Sequence, residues 1–368
     1  AIGGNNAAGI GSGYNSNGTT TIKIDGSTIV KAQGGSGGDN SGGAGIGSGD
    51  IGGGYTGSST TNITISGGTI VEAVGGNTGD GIGSGSGNRS NSTTVTINGG
   101  RVEKAQGGKG YSIFDGGDGI HSDDDLTIPG NATIVSAIGG SGVGSSGAGN
   151  GIYSGGKLAI EGGTIGTAQG GNATADYKGG GHGIYSNKEL TINSGTIGTA
   201  QGGEGQTTGG NGIYSKGDLS IEGGTIGTAQ GGASTNGTGG DGIHSGSVVK
   251  ISGDTITKAT GGNATGENST GGSGIGGSLA EKYAQSHSKL DVVAIKGGSP
   301  PQSLDENSLF IAVSHSGNTA ETLCCYETAK SRRAVCAVVA GGGRLLAAAE
   351  SCGGRRENLG EIQRSSRK

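Results

Sequence analysis

A glycine-rich unit of 21 residues recurs through residues 1–273, and it constrains the fold more than any other feature of the chain. Three copies are nearly identical, at residues 151–171, 183–203 and 212–232. Successive copies start 29 to 38 residues apart, because polar loops of different lengths separate them. A constant core with variable loops is typical of a solenoid. Weaker copies begin at Gly9, Gly45, Gly81, Gly119 and Gly242.

The apolar residues of one unit alternate with polar ones and then stop at a glycine pair. Leu158 and Ile160 alternate, Gly162-Gly163 follows, and Ile165 and Ala168 come next. Alternation, β-branched residues and glycine corners predict three short strands in each unit. One coil has too few apolar side chains to fold alone, so we expect coils to stack at about 4.8 Å and bury like residues on like. The prediction is a mainly β fold, a parallel β-helix of about eight coils over residues 1–273.

Composition excludes several other classes of protein. Glycine supplies 93 of 368 residues, but there are only three prolines, so the collagen pattern is absent. Evenly spaced Ile, Val and Leu argue against disorder. The net charge is −5 and no basic stripe is present, so we expect no nucleic-acid partner. No apolar run reaches the roughly 20 residues of a membrane span, so none is predicted.

The third position of each unit is the candidate binding feature of the repeat. It follows an inward-pointing isoleucine, so its side chain should point outward. Glycine occupies it in the first three units and an aromatic ring in the next five. A row of stacked rings could bind the faces of sugars in surface glycans; alternatively, flat side chains simply stack well on a regular sheet. The predicted stripe consists of His121, Tyr153, Tyr185, Tyr214 and His244.

Two other polar features recur or cluster in the repeat. A glutamine follows the last alanine of five units, which predicts a ladder of stacked amides. Asp123-Asp124-Asp125 could attract calcium, but the repeat is not the nonapeptide calcium-binding type, so we expect a solvated acidic turn, and no metal or cofactor. The repeat resembles glycine-rich β-solenoids of bacterial surface and secreted proteins, which implies a structural or adhesive role outside the cell. The glutamines are Gln33, Gln106, Gln169, Gln201 and Gln230.

The rest of the chain alternates between strand and helix patterns. Apolar runs predict strands at 290–295, 309–313 and 335–340, and helical runs cover 279–285, 320–332 and 344–350. This alternation predicts a parallel, doubly wound sheet, here a partial α/β domain of Rossmann-like type. We assign it to residues 274–355 and expect a disordered tail at 356–368. All four cysteines lie in this piece and lack metal-ligand spacing, which favours reduced thiols and a cytoplasmic origin for it.

The candidate ligand-binding residues of this piece lie between the predicted strand 309–313 and the predicted helix 320–332. The sequence from Ser314 to Thr319 reads Ser-His-Ser-Gly-Asn-Thr, with Glu321 and Thr322 after it. A strand, a hydroxyl-rich turn and a helix present N–H groups and hydroxyls to a phosphate. The simpler interpretation is a helix start capped by Thr319.

Ser-x-Ser-Gly-Asn-Thr-x-Glu-Thr resembles the phosphosugar-binding motif of the sugar isomerase (SIS) domain, as found in bifunctional phosphoglucose/phosphomannose isomerases. Segments 274–278, 303–323 and 334–349 support this likeness, which covers about 80 residues. The resemblance implies that hydroxyls of Ser314, Ser316 and Thr319 bind the phosphate. It also implies that backbone amides complete the cradle, at Gly317, Asn318, Gly276, Gly277 and Ser278.

The same resemblance limits the expected activity. The family's acid–base groups belong to a second half of the domain, and no residue here aligns with them. We therefore predict binding of a glucose 6-phosphate, fructose 6-phosphate or mannose 6-phosphate class of ligand, without isomerisation by this chain alone. Gly274-Ile275-Gly276-Gly277 also falls where a ninth coil should start. The alternative is a surface solenoid whose C-terminal piece is incidental or chimeric.

Overall fold

The computed structural model describes residues 1–276 and 304–350, apart from 39, 53–58, 87–90, 113, 175–177, 253–254, 267–268, 307–308, 315–319 and 341–342. The chain divides into two compact units, Ala1–Lys289 and Leu290–Lys368. In the described part of the first unit, every regular element is a β-strand. No helix among the described residues has the length and apolarity needed to cross a membrane.

The first unit is a parallel β-solenoid, as the repeat predicts. Its first sheet takes one short strand from each coil in sequence order, which gives eight coils and the start of a ninth. Each strand pairs in parallel with the strand one coil away. The nine strands are Ile10–Gly11, Ile46–Gly47, Ile82–Gly83, Ile120–Ser122, Ile152–Ser154, Ile184–Ser186, Ile213–Ser215, Ile243–Ser245 and Ile275–Gly276.

The other two sides of the solenoid form two further sheets. The smaller of these sheets has three strands, one from each of the first three coils: Gly18–Ile24, Ser59–Ile65 and Asn91–Ile97. The third sheet has 14 strands, and from the fourth coil onward it forms both of the remaining sides of the solenoid. Its strands are Thr28–Ile29, Ala32–Gln33, Thr69–Ile70, Ala73–Val74, Gly100–Val102, Ala105–Gln106, Leu126–Pro129, Ala132–Ile138, Leu158–Gln169, Leu190–Gln201, Leu219–Ile221, Thr225–Gln230, Val249–Ile251 and Thr255–Thr260.

The core is a set of columns in which like residues stack on like. The isoleucines of the first sheet pair in register from Ile10 to Ile275, and the seven between them have no exposed surface. Leu158, Ile160 and Ile165 are at most 1% exposed, which confirms the inward positions predicted from the alternation. Burial of one such side chain contributes about 1.5–3 kcal/mol, so stacking supplies what a lone coil lacks.

Buried serines close the corner after the first strand in the fifth to eighth coils. The Ser154 hydroxyl lies 3.0 Å from the carbonyl oxygen of Asp124, one coil back, and 2.9 Å from that of Lys157. Ser186 and Ser215 repeat the arrangement, and all three serines have no exposed surface. Such a partner stabilises a buried hydroxyl, and each of these serines joins two coils at the corner.

The second unit contains a parallel β-α-β-α segment. Strands Leu309–Ser314 and Val335–Ala340 pair in parallel, and the helices are Ala320–Ser331 and Gly343–Glu350. Their small core includes Ala312, Tyr326 and Leu345. These four elements confirm the predicted alternation from residue 309 onward. The predicted strand at 290–295 and helix at 279–285 lie outside the described residues.

Candidate functional site

The predicted aromatic row exists as a continuous ladder of stacked rings. The centroid of the His121 ring lies 4.5 Å from that of Tyr153, and Tyr153 lies 5.1 Å from Tyr185. Tyr185 to Tyr214 and Tyr214 to His244 each measure 5.2 Å. The ring planes of these four pairs are within 23° of parallel, a favourable offset-stacked arrangement.

Stacking determines what the ladder presents to solvent. The faces of Tyr153, Tyr185 and Tyr214 are turned to neighbouring rings, and all three side chains are half-buried. A sugar stacks on the face of a ring, so the three tyrosines offer mainly their edges. Sugar binding by this stripe stays a prediction, and the observed geometry favours mutual stacking.

A second ladder, of polar residues, runs beside the rings and was not predicted. It uses the residue that lies between two glycines, just before the isoleucine, in the last seven strands of the first sheet. Asn150 accepts the backbone N–H of His182 at 2.9 Å, and Asn211 accepts that of Asp241 at 2.6 Å. Each polar side chain therefore holds the next coil in register. The ladder comprises Asp80, Asp118, Asn150, His182, Asn211, Asp241 and Ser273.

The two ladders meet in a cluster of charged groups at the fourth coil. His121 Nδ1 lies 2.7 Å from Asp118 Oδ2 and 3.8 Å from Asp80 Oδ2. His121 Nε2 lies 3.2 Å from Asp123 Oδ1. Asp80 Oδ1 accepts the backbone N–H of Asp118, and Asp123 Oδ2 accepts that of Thr93. One carboxylate from each of Asp80 and Asp118, with the His121 ring, forms a group whose nearest atoms could ligate a metal ion.

Burial and proximity shift the proton affinities in this cluster. Burial raises the pKa of Asp80 to about 7, and the Asp118 carboxylate adds to the rise, while the charge of His121 opposes it. Burial acts to lower the pKa of His121, but the carboxylates of Asp80, Asp118 and Asp123 outweigh it and raise that pKa well above its usual 6.5.

His182 has the opposite character, and it belongs to the polar ladder, whereas His121 belongs to the ring ladder. Burial lowers its pKa to about 4, and the charge of His244 acts in the same direction. Its Nδ1 accepts the backbone N–H of Asn211 at 2.8 Å, so the neutral ring has its proton on Nε2. The ring also stacks on Tyr214 at 4.8 Å. Sequence reasoning missed this residue because it occupies a different position in the unit from the predicted stripe.

The recurring glutamines line an open trough on the third sheet. Gln169, Gln201 and Gln230 are in register on three successive coils, while Ile138 and Val74 interrupt the series before them. These three amides form no side-chain hydrogen bond to the residues that the structure describes. The predicted amide ladder is thus a stack of three residues without mutual hydrogen bonds. The hollow beside it has a volume of about 350 Å³.

The acidic turn is bonded to neighbouring coils. Asp123 takes part in the His121 cluster, Asp124 Oδ2 accepts the Thr94 hydroxyl at 2.6 Å, and Asp125 Oδ1 accepts the Lys157 N–H at 2.7 Å. The three carboxylates therefore engage three different partners. Convergence of the three on one calcium ion would break these hydrogen bonds.

The predicted phosphosugar residues fall in two units of the structure. Ser314 is the last residue of strand Leu309–Ser314, and helix Ala320–Ser331 begins six residues further along the chain. Gly276 lies in the last strand of the solenoid, where it pairs with His244. The other proposed ligands lie outside the described residues: Gly277, Ser278, Ser316, Gly317, Asn318 and Thr319. Phosphate binding by this set stays a prediction.

Comparison with known proteins gives one partial likeness. A bifunctional phosphoglucose/phosphomannose isomerase from Caldicellulosiruptor bescii is 39% identical to this chain over 83 residues. The match covers 23% of the chain and 24% of that protein, so the chain spans about a quarter of that relative's length. No family model matches the chain, and no solved structure matches it. The likeness supports a partial SIS-like segment. No named relative supports the predicted resemblance of the solenoid to surface proteins.

Proposed function

We propose that the C-terminal segment binds a sugar phosphate. The observation that carries the proposal is the 39% identity over 83 residues to a protein named as a phosphoglucose/phosphomannose isomerase. The match is 83 residues long, which is about the length of the segment 274–355 that contains the serine- and threonine-rich motif. The proposal concerns binding, since the motif supplies phosphate ligands rather than acid–base groups.

The arrangement around the motif suits a phosphate dianion. Strand Leu309–Ser314 ends, and helix Ala320–Ser331 begins, on either side of residues 315–319. The positive end of a helix dipole and several neutral donors stabilise an anion without a buried counter-charge. Ser316 and Thr319 would supply hydroxyl donors, and the backbone amides of Gly317 and Asn318 would add two more.

We expect the full chain to bind glucose 6-phosphate or mannose 6-phosphate, and Ser316→Ala to weaken that binding at least tenfold. One hydrogen bond to a charged group contributes about 1.5–3 kcal/mol, which corresponds to this factor. Isothermal titration calorimetry measures the affinity, with free glucose as the uncharged comparison. Ser331→Ala, at the other end of the same helix, is the matched control. Binding that is absent in the wild type, or unchanged in Ser316→Ala, contradicts the proposal.

A second function is proposed for the solenoid: binding of an extended neutral glycan along the glutamine trough. The free amides of Gln169, Gln201 and Gln230 favour it, since they repeat at the coil spacing of about 4.8 Å, close to the length of one sugar unit in an extended glycan. Glu204 is the charged residue of its described lining and the other lining residues are uncharged, so a neutral ligand with hydroxyl groups suits it.

Removing the three amides together should weaken glycan binding at least tenfold. The probes are cellohexaose, mannohexaose and chitohexaose, titrated into the wild type and into a Gln169→Ala, Gln201→Ala, Gln230→Ala variant. Each lost hydrogen bond contributes about 0.5–1.5 kcal/mol, which gives this factor for three. Gln33→Ala changes the same position of the first coil, outside the trough, and should have no effect. Binding lost in Tyr153→Ala and kept in the triple variant would instead assign the glycan to the aromatic ladder.

A further inference from the structure

We propose that Asp80, Asp118 and His121 form a binding site for a divalent transition metal ion of the zinc class on the solenoid. The ligands would be His121 Nδ1 and one carboxylate oxygen from each aspartate. This site is independent of both functions proposed above, because it lies at the meeting point of the aromatic and polar ladders.

The ligand atoms already lie at nearly the required separations. All three are within 4.8 Å of one another. His121 Nδ1 is 2.7 Å from Asp118 Oδ2 and 3.8 Å from Asp80 Oδ2. Ligands at about 2.0–2.2 Å from a tetrahedral zinc ion are roughly 3.3 Å apart. The first of these separations must therefore widen and the second narrow by about half an ångström each, and the two carboxylate oxygens, which lie within 4.8 Å of each other, must reach the same distance. Such changes are within reach of side-chain rotation.

The other nitrogen of the ring has the partner that metal-binding histidines usually have. His121 Nε2 lies 3.2 Å from Asp123 Oδ1, and Asp123 is itself held by the backbone N–H of Thr93. A carboxylate that accepts the second ring N–H fixes the tautomer and turns the free nitrogen toward the metal. Asp123 thus orients His121, and its Nδ1 faces the two aspartates.

Charge balance provides an independent reason for a cation here. Asp80 and Asp118 place two carboxylates on successive coils of the polar ladder, where Asn150 and Asn211 show that neutral amides also suffice. Like charges in register repel, so a cation bound between the two carboxylates would relieve their repulsion.

The chain contains its own comparison at the other end of the ladder. His244 Nδ1 lies 2.6 Å from Asp241 Oδ2, the same pair that His121 forms with Asp118. The ladder neighbours of Asp241 are the uncharged Asn211 and Ser273. One imidazole and one carboxylate therefore satisfy the ladder by themselves. The additional carboxylate of Asp80 is what distinguishes the proposed site.

The ligand set and the exposure select the kind of ion. An imidazole nitrogen with two carboxylate oxygens suits zinc and its neighbours in the transition series, whereas calcium prefers an all-oxygen shell. The side chain of His121 is 19% exposed, that of Asp118 is 11% exposed and that of Asp80 is 7% exposed. One side of the cluster is therefore open for the ion to enter and for water to complete its coordination.

The test is a titration of the full chain with Zn²⁺ and Co²⁺ after chelation and after alkylation of its four cysteines, which would otherwise bind these ions. We expect one ion per chain with micromolar or tighter affinity and a Co²⁺ visible spectrum of nitrogen and oxygen ligands. Asp80→Asn should weaken binding at least tenfold, and His121→Tyr at least a hundredfold. Both substitutions use residues found at the same positions of the fifth coil, Asn150 and Tyr153, so circular dichroism should show retained stacking.

The matched control is His244→Tyr, which makes the same exchange where the second carboxylate is missing, and its affinity should stay within twofold of the wild type. Absence of saturable binding below 1 mM (roughly the range of nonspecific association) overturns the proposal. Unchanged affinity in His121→Tyr, or equal loss in His244→Tyr, also overturns it.

Discussion

Gly203→Ala should lower the stability of the solenoid by about 3 kcal/mol or more. A β-carbon at this position would overlap the backbone carbonyl oxygen of Gly171 in the preceding coil and would lie 3.0 Å from that of Gly170. Gly203 is buried, and its N–H donates to Gly181 O at 2.8 Å, while its carbonyl accepts the Gly210 N–H. Neither coil can move away without breaking hydrogen bonds between coils, so the clash persists.

Urea unfolding followed by circular dichroism, with hydrogen exchange over residues 165–210, measures this effect. Contacts in a solenoid reach only neighbouring coils, so the damage should separate the coils on either side and give faster exchange at the break. Gly130→Ala is the matched control, because the nearest atom to its β-carbon would be 3.8 Å away. An unchanged midpoint for Gly203→Ala would show that the coils are not as closely stacked as described here.

Ile197→Ala should cost about 2–5 kcal/mol, toward the upper end of that range. Ile197 has no exposed surface and stacks in register between Ile165 and Ile226. The cavity cannot collapse, because hydrogen bonds fix the coils above and below it. The upper end of the range therefore applies.

Two control substitutions provide reference values for the loss of stability expected in Ile197→Ala. Ile197→Val removes a single methylene and should cost about 0.5–1.5 kcal/mol. Val30→Ala removes an apolar group that is 71% exposed and should change stability by less than about 0.5 kcal/mol. A loss in Ile197→Ala no larger than in Val30→Ala would mean that the isoleucine columns do not stabilise the stack.

The fold of the repeat could be predicted because its signals are local and repeated. Alternation at Leu158 and Ile160 identifies the inward face. The glycine pair at 162–163 does not separate two short strands as predicted, because Leu158–Gln169 is one strand whose pairing register shifts there. The polar ladder could not be predicted in the same way. Asp118 and Asn150 act on backbone N–H groups one coil away, and that pairing depends on the register of loops of unequal length.

The candidate sites, too, could be predicted only in part from the sequence. The positions of Tyr153 and Tyr185 in the stripe followed from periodicity, but the orientation of their faces depends on stacking between coils. Gly276 illustrates how a short glycine-rich sequence fits two patterns, since it matched both a phosphate loop and the start of a ninth coil. It pairs with His244 as a coil residue. Gln169 followed its predicted register, yet the hydrogen bonding of its amide depends on three-dimensional geometry.

The ring ladder also gives the chain an optical property. Tyr153, Tyr185 and Tyr214 have centroids 5.1–5.2 Å apart with nearly parallel planes, close enough for their excited states to couple. The chain has no tryptophan to mask tyrosine emission. Near-ultraviolet circular dichroism and tyrosine fluorescence should therefore carry a signal from the fifth to seventh coils. The chain thus reports the integrity of its own stack without an added dye.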